Sequence, residues 1–148
     1  MTELDETDEK ILELYYEDSR KSYRSIARKV GVAPGTVVAR MKRLEELGII
    51  KRYTVQIDSE KLGYDLTVLI ECTISKGMMI EAGHEMTKLK NTRAVYNITG
   101  DADVMIIAKF RNRTELSEFT KKLLKMPNVE RTKTHLVLIT LKEDFNRA

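Results

Sequence analysis

Residues 22–47 read SYRSIARKVGVAPGTVVARMKRLEEL, and two helical patterns meet in them across a short break. In the first, Tyr23, Ile26, Ala27 and Val30 recur at helical spacing behind Ser22, a natural N-cap. Gly31 closes that helix, because positive φ is cheap only for a residue without a Cβ. In the second, Pro34 suits a first helical position, and Val37, Met41, Leu44 and Leu47 form one apolar stripe. Val32 and Val37 are spaced for a hydrophobic staple that fixes the angle of entry. Two short helices joined so tightly, the second followed by Gly48, predict a helix-turn-helix.

Charge says what the exposed face of the second helix is for. At roughly 100° per residue, the side opposite its stripe carries Gly35, Ala39, Lys42 and Glu46, with Thr36 and Arg43 beside them. Residues 19–53 hold ten Lys or Arg against two Glu, whereas residues 1–18 hold eight acids and one Lys. The net charge of +3 therefore hides a basic patch, and such a patch points to phosphate more strongly than scattered lysines would.

The rest of the composition sets bounds. A chain of 148 residues, 42% hydrophobic and 33% charged, is that of a soluble globular protein with one ordinary core or two small ones. No apolar run approaches the roughly 18–20 residues a bilayer needs, and the acidic start is unlike a signal peptide. A cytoplasmic, DNA-associated protein with no membrane partner is expected. Cys72 has no second cysteine to pair with and sits in an apolar strand pattern, which reads as packing.

Taken in order, residues 4–16 predict a first helix with Asp5 and Asp8 at its positive end and Leu4, Ile11, Leu14 and Tyr15 as its packing stripe. Its acids face solvent or pair with basic residues such as Arg40. After Gly48, residues 49–57 alternate closely enough to predict a strand, with Lys51 and Arg52 as a phosphate-touching wing. Residues 58–65, broken by Gly63, read as a linker. Then follow a strand over 66–75, a helix over 78–89, strands over 94–99 and 104–110, a helix capped by Thr114 and ended by Pro127, and a strand over 129–141. The expected fold is α+β: a winged helix-turn-helix over 1–53, strand and linker over 54–65, and a ferredoxin-like βαββαβ domain over 66–148.

The strands carry apolar residues on both faces. Val68, Ile70, Cys72, Val104, Ile106, Leu136 and Leu138 form the inward set, and Leu69, Met105, Ile107, Val137, Ile139 and Leu141 fall opposite. Two helices cover one face of a four-stranded sheet, so the other needs a second cover, and a second subunit is the simplest. A homodimer built through this domain is expected.

LDETDEKIL, SIARKVGVAPGTVVARMKRLEELGIIKRY, TGDADVMI and VERTKTHLVL, in this order and spacing, carry a resemblance to the Lrp/AsnC family of leucine-responsive transcription regulators across nearly the whole chain. The resemblance implies a dimer that presents two recognition helices to double-stranded DNA, with assembly to tetramers or octamers. It also implies an amino-acid effector, with no other cofactor, bound near the turn Thr99, Gly100, Asp101, Ala102 and Asp103. Backbone N–H groups beside Gly100 could hold a carboxylate while Asp103 accepts from an ammonium. The same turn reads equally as a plain Gly/Asp hairpin. Ala102 stands where relatives often have a bulkier residue, and Ala33 where they commonly have a capping hydroxyl. Val38 and Ala39 are placed to meet thymine methyls, leaving Thr36, Arg40 and Arg43 as polar readers. Arg40 reads alternatively as an ion-pair partner of the first helix. Lys42 and Arg43 are expected on DNA, and Tyr23 and Arg24 on its backbone.

Two rival functions remain open at this level. Siroheme decarboxylases are similar to the family in architecture, and His84 and His135 are the histidines such chemistry would draw on, although both read as ordinary surface or packing residues. No metal-ligand spacing, nucleophile elbow, Walker loop or G-x-G-x-x-G run occurs, so the chain is read as a non-enzyme. A non-specific, chromatin-like DNA binder is the other rival, since small side chains on the recognition helix would suit it.

Overall fold

Asp5 begins the first helix by a reciprocal arrangement: its carboxylate accepts from the backbone N–H of Asp8 at 2.9 Å, and the Asp8 carboxylate accepts from that of Asp5 at 3.3 Å. The computed structural model describes residues 4–145; residues 1–3 and 146–148, within the expected domain bounds, lie outside the described residues. Helix α1 spans Glu6–Glu17, α2 Tyr23–Val30 and α3 Pro34–Glu46. Ser22 caps α2 through Ser25 N–H, and Gly31 ends it at φ 82°. Ile11, Ile26, Ala27, Val37, Met41 and Leu44 are buried together, with Val32 packed against them as the staple requires. Each large side chain so buried contributes roughly 1.5–3 kcal/mol.

The strand expected over 49–57 does not form. The segment lacks regular structure, and Tyr53, Val55 and Ile57 are exposed. Alternation marks a segment fit for a ladder, but a ladder also needs a partner strand, and none of the described residues supplies one.

Residues 57–142 form a second compact unit, and residues 143–145 go with the helical one. The order of the second unit is β1 Leu66–Ile74, α4 Met79–Thr87, β2 Thr92–Asn97, β3 Val104–Phe110, α5 Arg113–Lys125 and β4 Val129–Leu136. The sheet runs β2-β3-β1-β4, all antiparallel, which is the ferredoxin-like plait expected. Val68, Ile70, Cys72, Val104, Ile106, Ala108 and Phe110 face the helices, where they meet Ala82, Met86, Phe119 and Leu123. Phe110 and Phe119 stack edge-on with centroids 5.0 Å apart. Burial pushes the Cys72 thiol up to about 11, as expected of a packing cysteine.

Three expectations need correction here. Asn112, not Thr114, caps α5, its side chain accepting from Glu115 N–H at 2.9 Å. β4 stops at Leu136, and after one further bond, Val137 N–H to Thr67 O at 2.9 Å, no pairing with β1 continues among the described residues. Leu138, Ile139 and Leu141 therefore lie outside the sheet at 76–94% exposure, and Leu136, on the helix side, is itself half exposed. Nor is the bare face uniformly apolar. Leu69, Met105 and Ile107 share it with Glu71, Thr73, Arg131, Lys133 and His135, as the register Leu69↔His135, Glu71↔Lys133 and Thr73↔Arg131 requires.

Candidate nucleic-acid interface and effector turn

Helix α3 is held from beneath by Val37, Met41 and Leu44, and this leaves its other faces to solvent. Val38, Ala39 and Lys42 are exposed; Lys42 meets only a loose pair with Glu46 at 3.7 Å, and Thr36 is half-buried. Ala33 at the N-cap makes no side-chain hydrogen bond, so the first turn tightens instead, Thr36 N–H donating to Ala33 O at 3.0 Å. At the start of α2, Tyr23 and Arg24 are exposed as a backbone-touching pair would need to be.

The two arginines of α3 turn toward α1. Arg40 Nη1 donates to Asp5 and, at 3.1 Å, to Oδ2 of Asp8; Arg43 Nη1 donates to the same Oδ2 at 2.8 Å. The ion-pair alternative for Arg40 is thus what the fold contains. Arg43, expected on DNA because it lies away from the apolar stripe, leaves α3 from an exposed position and its head reaches Asp8 of α1. The backbone N–H of Asp8 and the Arg40 guanidinium hold the Asp5 carboxyl below its usual range. Neither Asp8 nor Tyr53 was singled out as a site residue. Tyr53 donates to Glu45 at 2.6 Å, and partial desolvation of the phenol, with that carboxylate beside it, pushes its pKa up. The D-x-x-D spacing at Asp5 and Asp8 was the available signal for the first.

In the second unit, the turn of Thr99, Gly100, Asp101, Ala102 and Asp103 is ordered by Gly100 at φ 116° and by Asp103. Asp103 N–H donates to Cys72 O at 3.0 Å, and its Oδ2 accepts from Ile74 N–H at 2.7 Å. The carboxylate expected to receive an ammonium is therefore engaged as an anchor of the turn. Ala102 is buried and Thr99 exposed. Asp101 and Ala102 instead open onto a cleft of about 310 Å³ that they line with Glu71, Thr73, Arg131 and Lys133. Those four were missed because the alternation was read for apolar positions alone. His84 lies exposed on α4, in the helix layer, and His135 on the bare face 3.2 Å from Glu71, so the sheet separates them. Among the described residues no group of three His, Cys, Asp or Glu could hold a metal ion, and no helix is long and apolar enough to cross a membrane.

A basic helix-turn-helix joined to a ferredoxin-like plait defines a DNA-binding regulator class. Residues 4–51 match the family model for winged helix-turn-helix DNA-binding, and residues 67–146 that for the Lrp/AsnC ligand binding domain. An uncharacterised HTH-type transcriptional regulator of Pyrococcus horikoshii is 45% identical over 143 residues, 97% of each chain. LrpC of Bacillus subtilis is similar in structure, with a TM-score of 0.85 at 29% identity over 97% of this chain and 100% of that one. A Neisseria meningitidis transcriptional regulator solved as a complex with L-Met gives a TM-score of 0.90 at 25% identity, covering 99% and 97%. The chain belongs to the Lrp/AsnC family of transcription regulators, with the ligand-binding domain that defines it.

Proposed function

We propose that the protein is a sequence-specific DNA-binding regulator whose affinity for DNA responds to an α-amino acid or a similar small zwitterion. The observation that carries the DNA reading is α3, which exposes Val38, Ala39 and Lys42 above a firmly packed stripe inside a strongly basic segment. The cleft beside the β2–β3 turn supports the effector reading. It brings Glu71 and Asp101 together with Arg131 and Lys133, so a ligand bearing one ammonium and one carboxylate finds a partner for each. The L-Met complex of the Neisseria protein agrees with that chemistry.

The regulator acts as a homodimer on this reading, its second copy covering Leu69, Met105 and Ile107 and setting the spacing of two α3 helices. Mobility shift with a duplex selected from a random pool, against a scrambled duplex at fixed salt, tests specificity. Equal affinity for both would replace the regulator with a non-specific binder. Repeating the shift with each of the twenty amino acids, alongside thermal unfolding, tests the effector. No response to any of them would remove that part of the proposal.

A further inference from the structure

Asp8 is fully buried, and its two oxygens are treated unequally. Oδ2 gathers Arg43, Arg40 and the backbone N–H of Asp5, while no donor among the described residues reaches Oδ1. The charge of a buried carboxylate must be met by cations, and here those cations belong to the recognition helix. Thr36, Arg40 and Arg43 follow one another at helical spacing, so both arginines leave α3 along one ridge and converge on the start of α1. Their side chains stay 31% and 43% exposed, which leaves them within reach of a ligand while their Nη1 atoms are held.

This arrangement has opposite effects on the two ways an arginine meets DNA. A phosphate accepts a cation in almost any orientation, but drawing either guanidinium out to a phosphate leaves the buried Asp8 charge to the other arginine alone, and Oδ1 has no donor among the described residues to soften the loss. A base edge requires a planar fork at a fixed angle, and a fork already pinned meets that requirement with little further ordering.

Resting on the regulator reading above, we propose that Asp8 is a positioning residue for DNA discrimination. It withholds Arg40 and Arg43 from indiscriminate phosphate contact and fixes them as readers. Asp5 shares the task at Arg40 from a half-exposed position.

The test uses the full chain, a duplex enriched by the wild type from a random pool, and a scrambled duplex of the same length. Asp8→Asn keeps the shape and removes the charge. The preference for the enriched duplex is expected to fall about tenfold, since a good paired contact is worth that much discrimination. The salt slope on scrambled DNA is expected to steepen by about one per arginine released to phosphate. Asp5→Asn, which remains a good N-cap, is expected to move both readouts the same way by less, and it decides the matter should Asp8→Asn fail to fold. A purely structural Asp8 would lower affinity for both duplexes in proportion and leave the slope unchanged, which overturns the inference alone. A wild type that enriches no duplex overturns the regulator reading, and the inference with it.

Discussion

Asp103 accepts from the backbone N–H of Ile74 at 2.7 Å, so the β2–β3 turn is fastened to the last residue of β1. Asp103→Ala leaves that half-buried N–H without its acceptor and is expected to destabilise the protein by about 1–3 kcal/mol, read from urea unfolding. Asp103→Asn, whose amide oxygen can still accept, should recover part of the loss. A neutral Asp103→Ala would show that the turn holds itself.

Lys42→Ala should weaken binding to every duplex alike and reduce the salt slope by about one. Lys42 is exposed and only loosely paired to Glu46, so the protein loses little stability with it. An unchanged slope would place this face of α3 away from phosphate.

Ala33→Ser supplies the missing hydroxyl at the start of α3, where the backbone already has extended cap geometry. The gain expected is about 0.5–2 kcal/mol in unfolding free energy, with slower amide exchange in the first turn.

Acid unfolding should report Asp18. The Arg20 side chain, and then its backbone N–H, hold the Asp18 carboxyl down at about 2 from an ordinary 3.8. A carboxyl depressed by folding contributes stability above its unfolded pKa and loses it as pH falls through its folded one. Asp18→Ala should therefore melt below the wild type at pH 6, with the gap closing between about pH 4 and pH 2. A gap that stays constant across that range would count against the pair.

Local chemistry made much of this fold readable. Ser22, Gly31 and Pro34 announced the helix-turn-helix because caps and breakers act on their own backbone. The apolar run VMIIA after the Gly100 turn marked β3 with its bounds, Val104–Phe110. Where the reading failed, the deciding partner was distant in sequence. The segment 49–57 has strand alternation but no strand to pair with among the described residues, and β4 ends at Leu136 although β1 still offers Leu66 and Thr67. The cap of α5 is a local exception: Asn112, two residues before the expected Thr114, accepts from Glu115 N–H. Arg43 is the instructive case at the candidate site. A helical wheel places its Cβ away from the core, correctly, but takes no account of a side chain long enough to reach Asp8. At the turn, the spacing of acids beside Gly100 was visible, whereas the direction of Asp103 depended on where Ile74 would lie.

Leu138, Ile139 and Leu141 in the second unit, and Tyr53 and Val55 in the first, are each exposed on a single copy. On the dimer reading this makes stability a matter of mass action: folding and association share one free energy, and protomer concentration enters it. The thermal midpoint should climb as the protein is concentrated and fall on dilution. A midpoint independent of concentration, with sedimentation showing a monomer at micromolar levels, would assign those residues to some other role.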